Sequence, residues 1–200
     1  MSGANARPRS SEVTPDRPPR WIVGVTGGLA AVKAPALVRR LREAGAEVRV
    51  AATPAVRFVT PLALASAAGG EVLDEAAWFA ADGEARHLSF AAWADGLLVA
   101  PATADALARI AHGHAGDVVS ALALGVPRVA LAPAMNPAMW RAAPVRRNVA
   151  RLRADGREVL EPASGAMGTV GEAPGPGRLP DEAALVEAVL RAPRGRDLEG

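Results

Sequence analysis

Two kinds of hydrophobic pattern alternate along the chain. Short apolar runs, typical of strands buried on both faces of a parallel sheet, are separated by longer segments with apolar residues at helical spacing. The predicted strands are residues 21–25, 47–51, 96–100, 128–131 and 158–160, with a weaker one near 71–73. The predicted helices are residues 29–43, 104–111, 117–124, 145–154 and 181–191.

This alternation predicts an α/β fold, namely a single-domain, Rossmann-like, doubly wound parallel sheet with helices on both faces. Residues 21–191 are expected to form the domain, with flexible tails at residues 1–20 and 192–200. The first tail is rich in Pro, Arg, Ser and Asn and lacks the apolar block of a secretion signal. In such a sheet a ligand normally binds beyond the carboxyl ends of the strands, so the loops there are expected to carry the chemistry.

Composition narrows the functional classes. Hydrophobic residues make up 50% of the chain but aromatic residues only 4%, so the core is expected to consist mainly of Ala, Val and Leu. The 23 basic and 21 acidic residues leave a net charge of +2, Lys33 is the only lysine, and no dense basic cluster appears, so nucleic acid is not an expected partner. The absence of cysteine excludes disulfides, thiolate metal sites and a catalytic thiol from this chain. No apolar run approaches the ~20 residues that span a bilayer, so we expect no membrane partner and a cytoplasmic location.

The loops after the first two strands hold candidate ligands for a phosphate and a planar group. Gly27 and Gly28 allow backbone amides to approach an anion, although a tight turn without a ligand uses the same residues. Thr53 either caps the next helix or donates its hydroxyl group to a phosphate. Phe58 packs either on a planar ligand or on the core.

Two further loops place polar groups among apolar neighbours. Thr103 and Asp105 stand where a helix begins, and Asp105 is either functional or a first-turn acid favoured by the helix dipole. In the segment Leu131-Ala-Pro-Ala-Met-Asn-Pro-Ala-Met-Trp140, the amide of Asn136 would cost ~1 to 3 kcal/mol to bury without partners. Asn136 therefore either caps the turn before Trp140 or binds a ligand.

The three histidines differ in context. His87 precedes an amphipathic segment and is either a hydrogen-bonded structural residue or a group that exchanges protons near neutral pH. His112 and His114 lie close together, but no third ligand has suitable spacing, so we interpret them as a solvated helix end and expect no metal site.

Several motifs, in the same order, resemble those of the flavin-containing cysteine decarboxylases, from about residue 21 to about residue 179. This family includes phosphopantothenoylcysteine decarboxylases and enzymes that oxidatively decarboxylate the carboxy-terminal cysteine of ribosomally made peptides. The matching segments are Gly24-Val-Thr-Gly-Gly-Leu-Ala-Ala-Val-Lys-Ala34, with Gly28 where a serine is usual; Phe58-Val-Thr-Pro-Leu62; His87-Leu-Ser; Pro101-Ala-Thr-Ala-Asp-Ala106, similar to Pro-x-Ser-Ala-Asn-Thr; and Pro133-Ala-Met-Asn-Pro-Ala-Met-Trp140, which matches Pro-x-Met-Asn-x-x-Met-Trp.

The resemblance implies FMN as cofactor and assigns roles to individual residues. His87 would be the active-site base, and Asn136 would hold the substrate carboxylate. The residues expected around FMN are Gly27, Gly28, Leu29, Thr53, Phe58, Thr103, Ala104, Asp105, Ala106 and Ala134. Those expected around the substrate are Met135, Asn136, Met139 and Arg178. Because an ionised Asp105 donates no hydrogen bond, it puts one contact with the flavin in doubt.

The implied chemistry is an oxidation that makes decarboxylation possible. Hydride passes from the β-carbon of a cysteine to flavin N5, and the resulting carbon–sulfur double bond accepts the electrons released with carbon dioxide. The product is an enethiol. Family members that reduce this enethiol further use a cysteine in the carboxy-terminal region, and this chain has none.

We therefore expect FMN-dependent oxidative decarboxylation of the carboxy-terminal cysteine of a precursor peptide to an aminoenethiol. One alternative is a phosphopantothenoylcysteine decarboxylase of coenzyme A biosynthesis, although a chain of this length is not expected to include the fused ligase domain of many such enzymes. Another is a flavin-binding regulatory protein without turnover. The resemblance also implies a homotrimer with flavin at subunit boundaries, possible assembly into a dodecamer, and action of His87 on a neighbouring subunit's flavin.

Overall fold

The short runs rich in Val, Leu and Ala form one six-stranded parallel sheet in the computed structural model, which describes residues 17–166, 168, 171–172 and 174–191. Its strands are β1 (Arg20–Val25), β2 (Glu47–Ala52), β3 (Val72–Leu73), β4 (Gly96–Ala102), β5 (Val129–Pro133) and β6 (Glu158–Val159). Their order is β3-β2-β1-β4-β5-β6, and every adjacent pair is parallel. The direction of winding reverses between β1 and β4, so the predicted fold class is confirmed and the loops after these two strands meet at a switch point.

The helices cover both faces of the sheet. They are a 3-10 helix (Leu29–Lys33), α1 (Ala34–Glu43), α2 (Pro61–Ala68), α3 (Glu75–Trp78), α4 (Arg86–Trp93), α5 (Ala104–Ala111), α6 (Val118–Gly125), α7 (Pro137–Arg141), α8 (Ala143–Ala154) and α9 (Glu182–Arg191). The single helix predicted at 29–43 is divided, because Pro35 lies in the first turn of α1 and supplies no amide hydrogen to continue the preceding turn. Within the described ranges, no helix is long and apolar enough to cross a membrane.

Alternating strand residues feed two hydrophobic layers. On one face Leu37 of α1, Leu64 of α2 and Leu185 of α9 pack against β1 residues such as Val23. On the other face α4, α5, α6 and α8 pack against residues that include Ile22 and Leu97. Both layers contain mostly Ala, Val and Leu, as composition predicted.

The glycine-rich segment near the carboxyl end forms a feature that the sequence did not predict. Strands β7 (Ala163–Gly165) and β8 (Gly175–Arg178) pair as an antiparallel ribbon. Gly177 accepts a hydrogen bond at its carbonyl from the Met135 amide, 2.9 Å away. Gly177 has a φ of +136°, and a Cβ there would lie 2.1 Å from the Met135 carbonyl oxygen. The ribbon is therefore held against the loop after β5.

Residues 17–20 correct the predicted extent of the first tail. Arg17 forms an ion pair with Asp95 at 2.6 Å, and the Arg20 amide donates a hydrogen bond of 2.9 Å to the same carboxylate. Asp95 is only 8% exposed, so these residues are tied to the sheet. Residues 1–16 and 192–200 of the predicted tails lie outside the described residues.

Candidate functional site

A cavity of about 1120 Å³ opens at the carboxyl ends of β1, β2, β4 and β5. It is large enough for a mononucleotide-sized cofactor with part of a substrate. The predicted site residues that line it are Gly27, Gly28, Leu29, Thr53, Thr103, Ala104, Asp105, Ala106, Ala134, Met135, Asn136, Met139 and Arg178. Residues more than 150 positions apart thus meet at one edge of the sheet.

Two predicted site residues do not line this cavity. Phe58 is 53% exposed, so it packs neither in the core nor on the cavity wall. His87 lies on α4, where its Nδ1 accepts a hydrogen bond from Trp78 Nε1 at 3.0 Å. Within one chain, the candidate proton-transfer group is therefore separate from the cavity.

The turn after β1 brings backbone close to the loop after β2. A Cβ on Gly27 would lie 2.5 Å from the Ala55 Cβ and 2.6 Å from its carbonyl oxygen, so any larger residue would push these loops apart. Gly28 differs: its backbone is extended, and a Cβ there would meet only Thr103 Cγ2, at 3.4 Å. The loop requires glycine at residue 27, whereas at residue 28 there is room for the serine that is usual in the resembling family.

Thr26 is a buried residue of the site that sequence reasoning missed. Its hydroxyl donates to the Pro101 carbonyl oxygen at 2.7 Å and accepts from the Thr103 amide at 3.2 Å. Thr103 in turn caps α5 by accepting a hydrogen bond from the Ala106 amide. These hydrogen bonds connect the loop after β1 with the end of β4 and the start of α5 at the switch point. Its polar position inside the glycine loop was the available signal, but the partner lies 75 residues away.

Thr53 carries an unsatisfied polar atom at the cavity. Its Oγ1 is buried and has no hydrogen-bond partner among the described residues, although its backbone amide donates to the Val25 carbonyl at 3.0 Å. The hydroxyl therefore caps no helix, which was one of the two interpretations. A buried hydroxyl without a partner is costly, and an anionic group of a ligand would satisfy it.

Asn136 performs the predicted capping and also presents a donor. Its Oδ1 accepts a hydrogen bond from the Ala138 amide at 2.7 Å, which confirms the interpretation as a turn cap. Because the oxygen is engaged in this way, the amide nitrogen points away from α7. Asn136 Nδ2 donates a hydrogen bond to the carboxylate of Glu172, a cavity residue that the sequence analysis did not single out.

Among the described residues, some of the charged side chains around the cavity are paired with one another, and others are not. Asp105 forms an ion pair of 2.8 Å with Arg109, which also lies 3.8 Å from Asp117. The hydrogen bond that Arg109 Nε donates to the Asp105 carboxylate raises the pKa of Arg109. Lys33 and Arg178 also line the cavity, and neither has an ion-pair partner in the described part of the chain. Two cations are thus available to an anionic ligand.

The chain is similar to known proteins in family, sequence and structure. The family described as Flavoprotein matches residues 9–192. The coenzyme A biosynthesis bifunctional protein CoaBC of Escherichia coli K12 is 45% identical over 173 residues, which cover 84% of this chain and 42% of that protein. The chain therefore spans less than half the length of this curated relative.

Two solved structures resemble the chain closely in fold and sequence. The FMN-dependent cysteine decarboxylase TvaF from thioviridamide biosynthesis is 37% identical with a TM-score of 0.68, and the match covers 72% of this chain and 90% of TvaF. The FMN-dependent cysteine decarboxylase SpaF is 34% identical with a TM-score of 0.71, and the match covers 86% of this chain and 96% of SpaF.

These matches confirm the predicted resemblance, the FMN cofactor and the enzyme class at the level of the family, since the similar structures are those of FMN-dependent enzymes. They also favour the alternative, a phosphopantothenoylcysteine decarboxylase, over the expected action on a precursor peptide, because the curated relative belongs to coenzyme A biosynthesis. With a family match that extends over residues 9–192, the chain belongs to the Flavoprotein family.

Proposed function

We propose that this chain binds FMN in the cavity at the switch point and uses it to decarboxylate a substrate that ends in cysteine. The observation that carries the proposal is the unsatisfied Thr53 hydroxyl, buried beside the close-packed Gly27 turn in a cavity of about 1120 Å³. Thr53 and the Gly27–Gly28 backbone would hold the cofactor phosphate. When bound, FMN would supply the two-electron oxidation of the cysteine side chain that lets carbon dioxide leave.

Asn136 is the proposed ligand for the substrate carboxylate. Its oxygen is fixed by the Ala138 amide, so its nitrogen can donate only into the cavity. The carboxylate of Glu172 already accepts that hydrogen bond, which supports an anionic carboxylate as the preferred occupant. A substrate carboxylate would replace Glu172 there and be held in one orientation while its bond to carbon breaks.

The site and the relatives are compatible with two substrates. The 45% identity with CoaBC supports phosphopantothenoylcysteine. Lys33 and Arg178, which form no ion pair with another described residue, are suited to a phosphorylated molecule. The similarity to TvaF and SpaF supports a peptide with a carboxy-terminal cysteine. The product is proposed to be the enethiol with either substrate, because the chain has no cysteine to protonate it during a reductive second half.

A second copy of the chain is proposed to complete the site, in the trimer that the resemblance implies. His87 lies away from the cavity of its own chain. Leu88, its neighbour in sequence, is 61% exposed, and Phe79, which stacks on the His87 partner Trp78, is 68% exposed. Around the cavity, Leu29 and Met139 are 43% and 48% exposed. Contact between these two apolar surfaces would bury both and bring His87 to a neighbouring cavity.

Mass spectrometry of the FMN-loaded protein with each substrate tests the proposal. A loss of about 46 Da, carbon dioxide plus two hydrogens, is expected, together with bleaching of the flavin when oxygen is excluded. A loss of about 44 Da from phosphopantothenoylcysteine would show that the enethiol is reduced and would contradict the proposed product. Protein that neither binds FMN nor changes either substrate would overturn the function.

A further inference from the structure

We propose that Trp78 fixes His87 as a hydrogen-bond donor through Nε2, so that His87 stabilises an anionic group of the substrate instead of accepting its proton. The proposal rests on the proposed function and refines the role of one residue in it. It assigns Trp78 as a positioning residue for the reaction.

The contact itself determines the protonation pattern of the imidazole. The indole Nε1 carries a hydrogen and can only donate, and it lies 3.0 Å from His87 Nδ1. Nδ1 must therefore present its lone pair. In a neutral imidazole the hydrogen then resides on Nε2, which faces away from Trp78. A histidine that accepts a proton at Nε2 needs its hydrogen on Nδ1, and that form would place two hydrogens between the rings.

Trp78 is held firmly enough to impose this pattern. Its ring packs against the hydrophobic layer that contains Phe90 and stacks on Phe79 with ring centroids 4.7 Å apart. The Trp78 and His87 rings meet edge to face, at a centroid distance of 5.8 Å and an angle of 71°. Helix α3, which carries Trp78, is capped by the Asp74 carboxylate through the Ala77 amide at 3.0 Å. The indole N–H is thus directed at His87 from a fixed position.

The arrangement suits a substrate that is negatively charged at more than one atom. Asn136 Nδ2 is a donor to a carboxylate, and His87 Nε2–H would be a second donor, from a neighbouring copy, to the sulfur or to the same carboxylate. A donor of this kind stabilises negative charge without itself changing protonation. The substrate thiol releases its proton to water and binds as the thiolate before its side chain is oxidised, so His87 need not accept a proton during the reaction.

NMR of the full-length, FMN-loaded protein tests the tautomer. The chain has three histidines, so the double replacement His112→Gln and His114→Gln leaves His87 as the only imidazole. Long-range proton–nitrogen spectra above neutral pH are expected to show the Nε2–H form. Trp78→Phe, which keeps a packed ring but removes the N–H, is expected to give a mixture of both forms. Trp93→Phe is the matched control, because it alters a tryptophan at the end of the same helix as His87 and is expected to leave the tautomer unchanged.

Kinetics of the same variants complete the test. Trp78→Phe is expected to lower kcat about tenfold with little change in KM or in bound FMN, whereas Trp93→Phe is expected to change kcat less than twofold. An Nδ1–H form in the otherwise unaltered protein, or full turnover of Trp78→Phe despite a mixed tautomer, would overturn the proposal. If no substrate is turned over by the unaltered protein, the proposed function is wrong, while the spectra still decide the tautomer.

Discussion

The cavity wall and the segment that carries His87 are built in opposite ways. At the wall, buried polar groups are connected within one chain, as in the links from Thr26 to Pro101 and Thr103. The His87 segment instead exposes large apolar side chains at Phe79 and Leu88. The contrast supports the proposal that one chain supplies a preorganised binding half, whereas the exposed apolar surface around His87 serves a neighbouring copy.

The largest expected effect comes from the wall, in Asn136→Asp. The aspartate retains an oxygen for the Ala138 amide but replaces the donor that faces Glu172 with an anion, so the fold should persist while a substrate carboxylate is repelled. We expect kcat/KM to fall by about 100-fold to 1,000-fold, with FMN still bound. Steady-state kinetics and flavin absorption measure both quantities. Undiminished kcat/KM in Asn136→Asp would show that Asn136 does not bind the substrate carboxylate.

The variant Asn136→Ala should also lose the helix cap. We expect this loss to lower the free energy of unfolding by a further ~0.5 to 2 kcal/mol.

Mixing two inactive variants tests whether His87 and Asn136 of one site belong to different chains. His87→Ala and Asn136→Asp should each have little activity alone, but a mixed oligomer contains sites with an intact His87 from one chain and an intact Asn136 from the next. After random exchange of equal amounts, about one quarter of the sites should be restored if the halves belong to different chains. Turnover measured after co-refolding decides the matter. No recovery, in oligomers shown by mass to be mixed, would mean that both residues act within one chain.

Substitutions at the two neighbouring glycines test whether close packing of the turn is needed for FMN binding. Gly27→Ala places a Cβ 2.5 Å from Ala55, whereas Gly28→Ala places one 3.4 Å from Thr103. We expect Gly27→Ala to weaken FMN binding by at least about tenfold, equivalent to ~1.4 kcal/mol, and Gly28→Ala to weaken it less than about twofold. Quenching of flavin fluorescence during reconstitution measures the affinities. Equal effects of the two substitutions would show that the turn does not discriminate between these positions.

The smallest effect is expected at Asp105, whose side chain is largely exposed. The Asp105 side chain is 71% exposed and paired with Arg109, so Asp105→Asn removes a surface ion pair and returns an amide that can donate. We expect FMN affinity to rise about twofold to tenfold and the melting temperature to change by less than about 2 °C. Fluorescence titration and thermal unfolding provide these values. Weaker FMN binding in Asp105→Asn would mean that the carboxylate, held by Arg109, is itself the preferred contact.

Much of the sheet was predictable because strands buried on both faces appear in the sequence as short apolar runs. The weak pattern near β3 and the strong pattern at β4 both correspond to strands. Helix α2 was missed although Thr60 caps it and Pro61 begins it, because its apolar residues show little helical periodicity. The β7–β8 ribbon was missed because Gly177 adopts a positive φ and pairs with residues that are close only after folding.

The site shows the same division between local and long-range information. Asn136 as a cap and Gly27 in a tight turn follow from neighbouring residues. Thr26 and Glu172 were not found, since their partners Pro101 and Asn136 lie 75 and 36 residues away. The separation of His87 from the cavity of its own chain could not be predicted either, because it depends on how α4 packs in three dimensions.

Lys33 gives the molecule an unusual chemical handle. It is the only lysine in the sequence, and it lies on the rim of the cavity. An amine-selective acylating reagent can therefore modify just one side chain, apart from the amino terminus. The mass of that single adduct would report, without any spectroscopic signal from a flavin, what fraction of the protein population has its cavity filled.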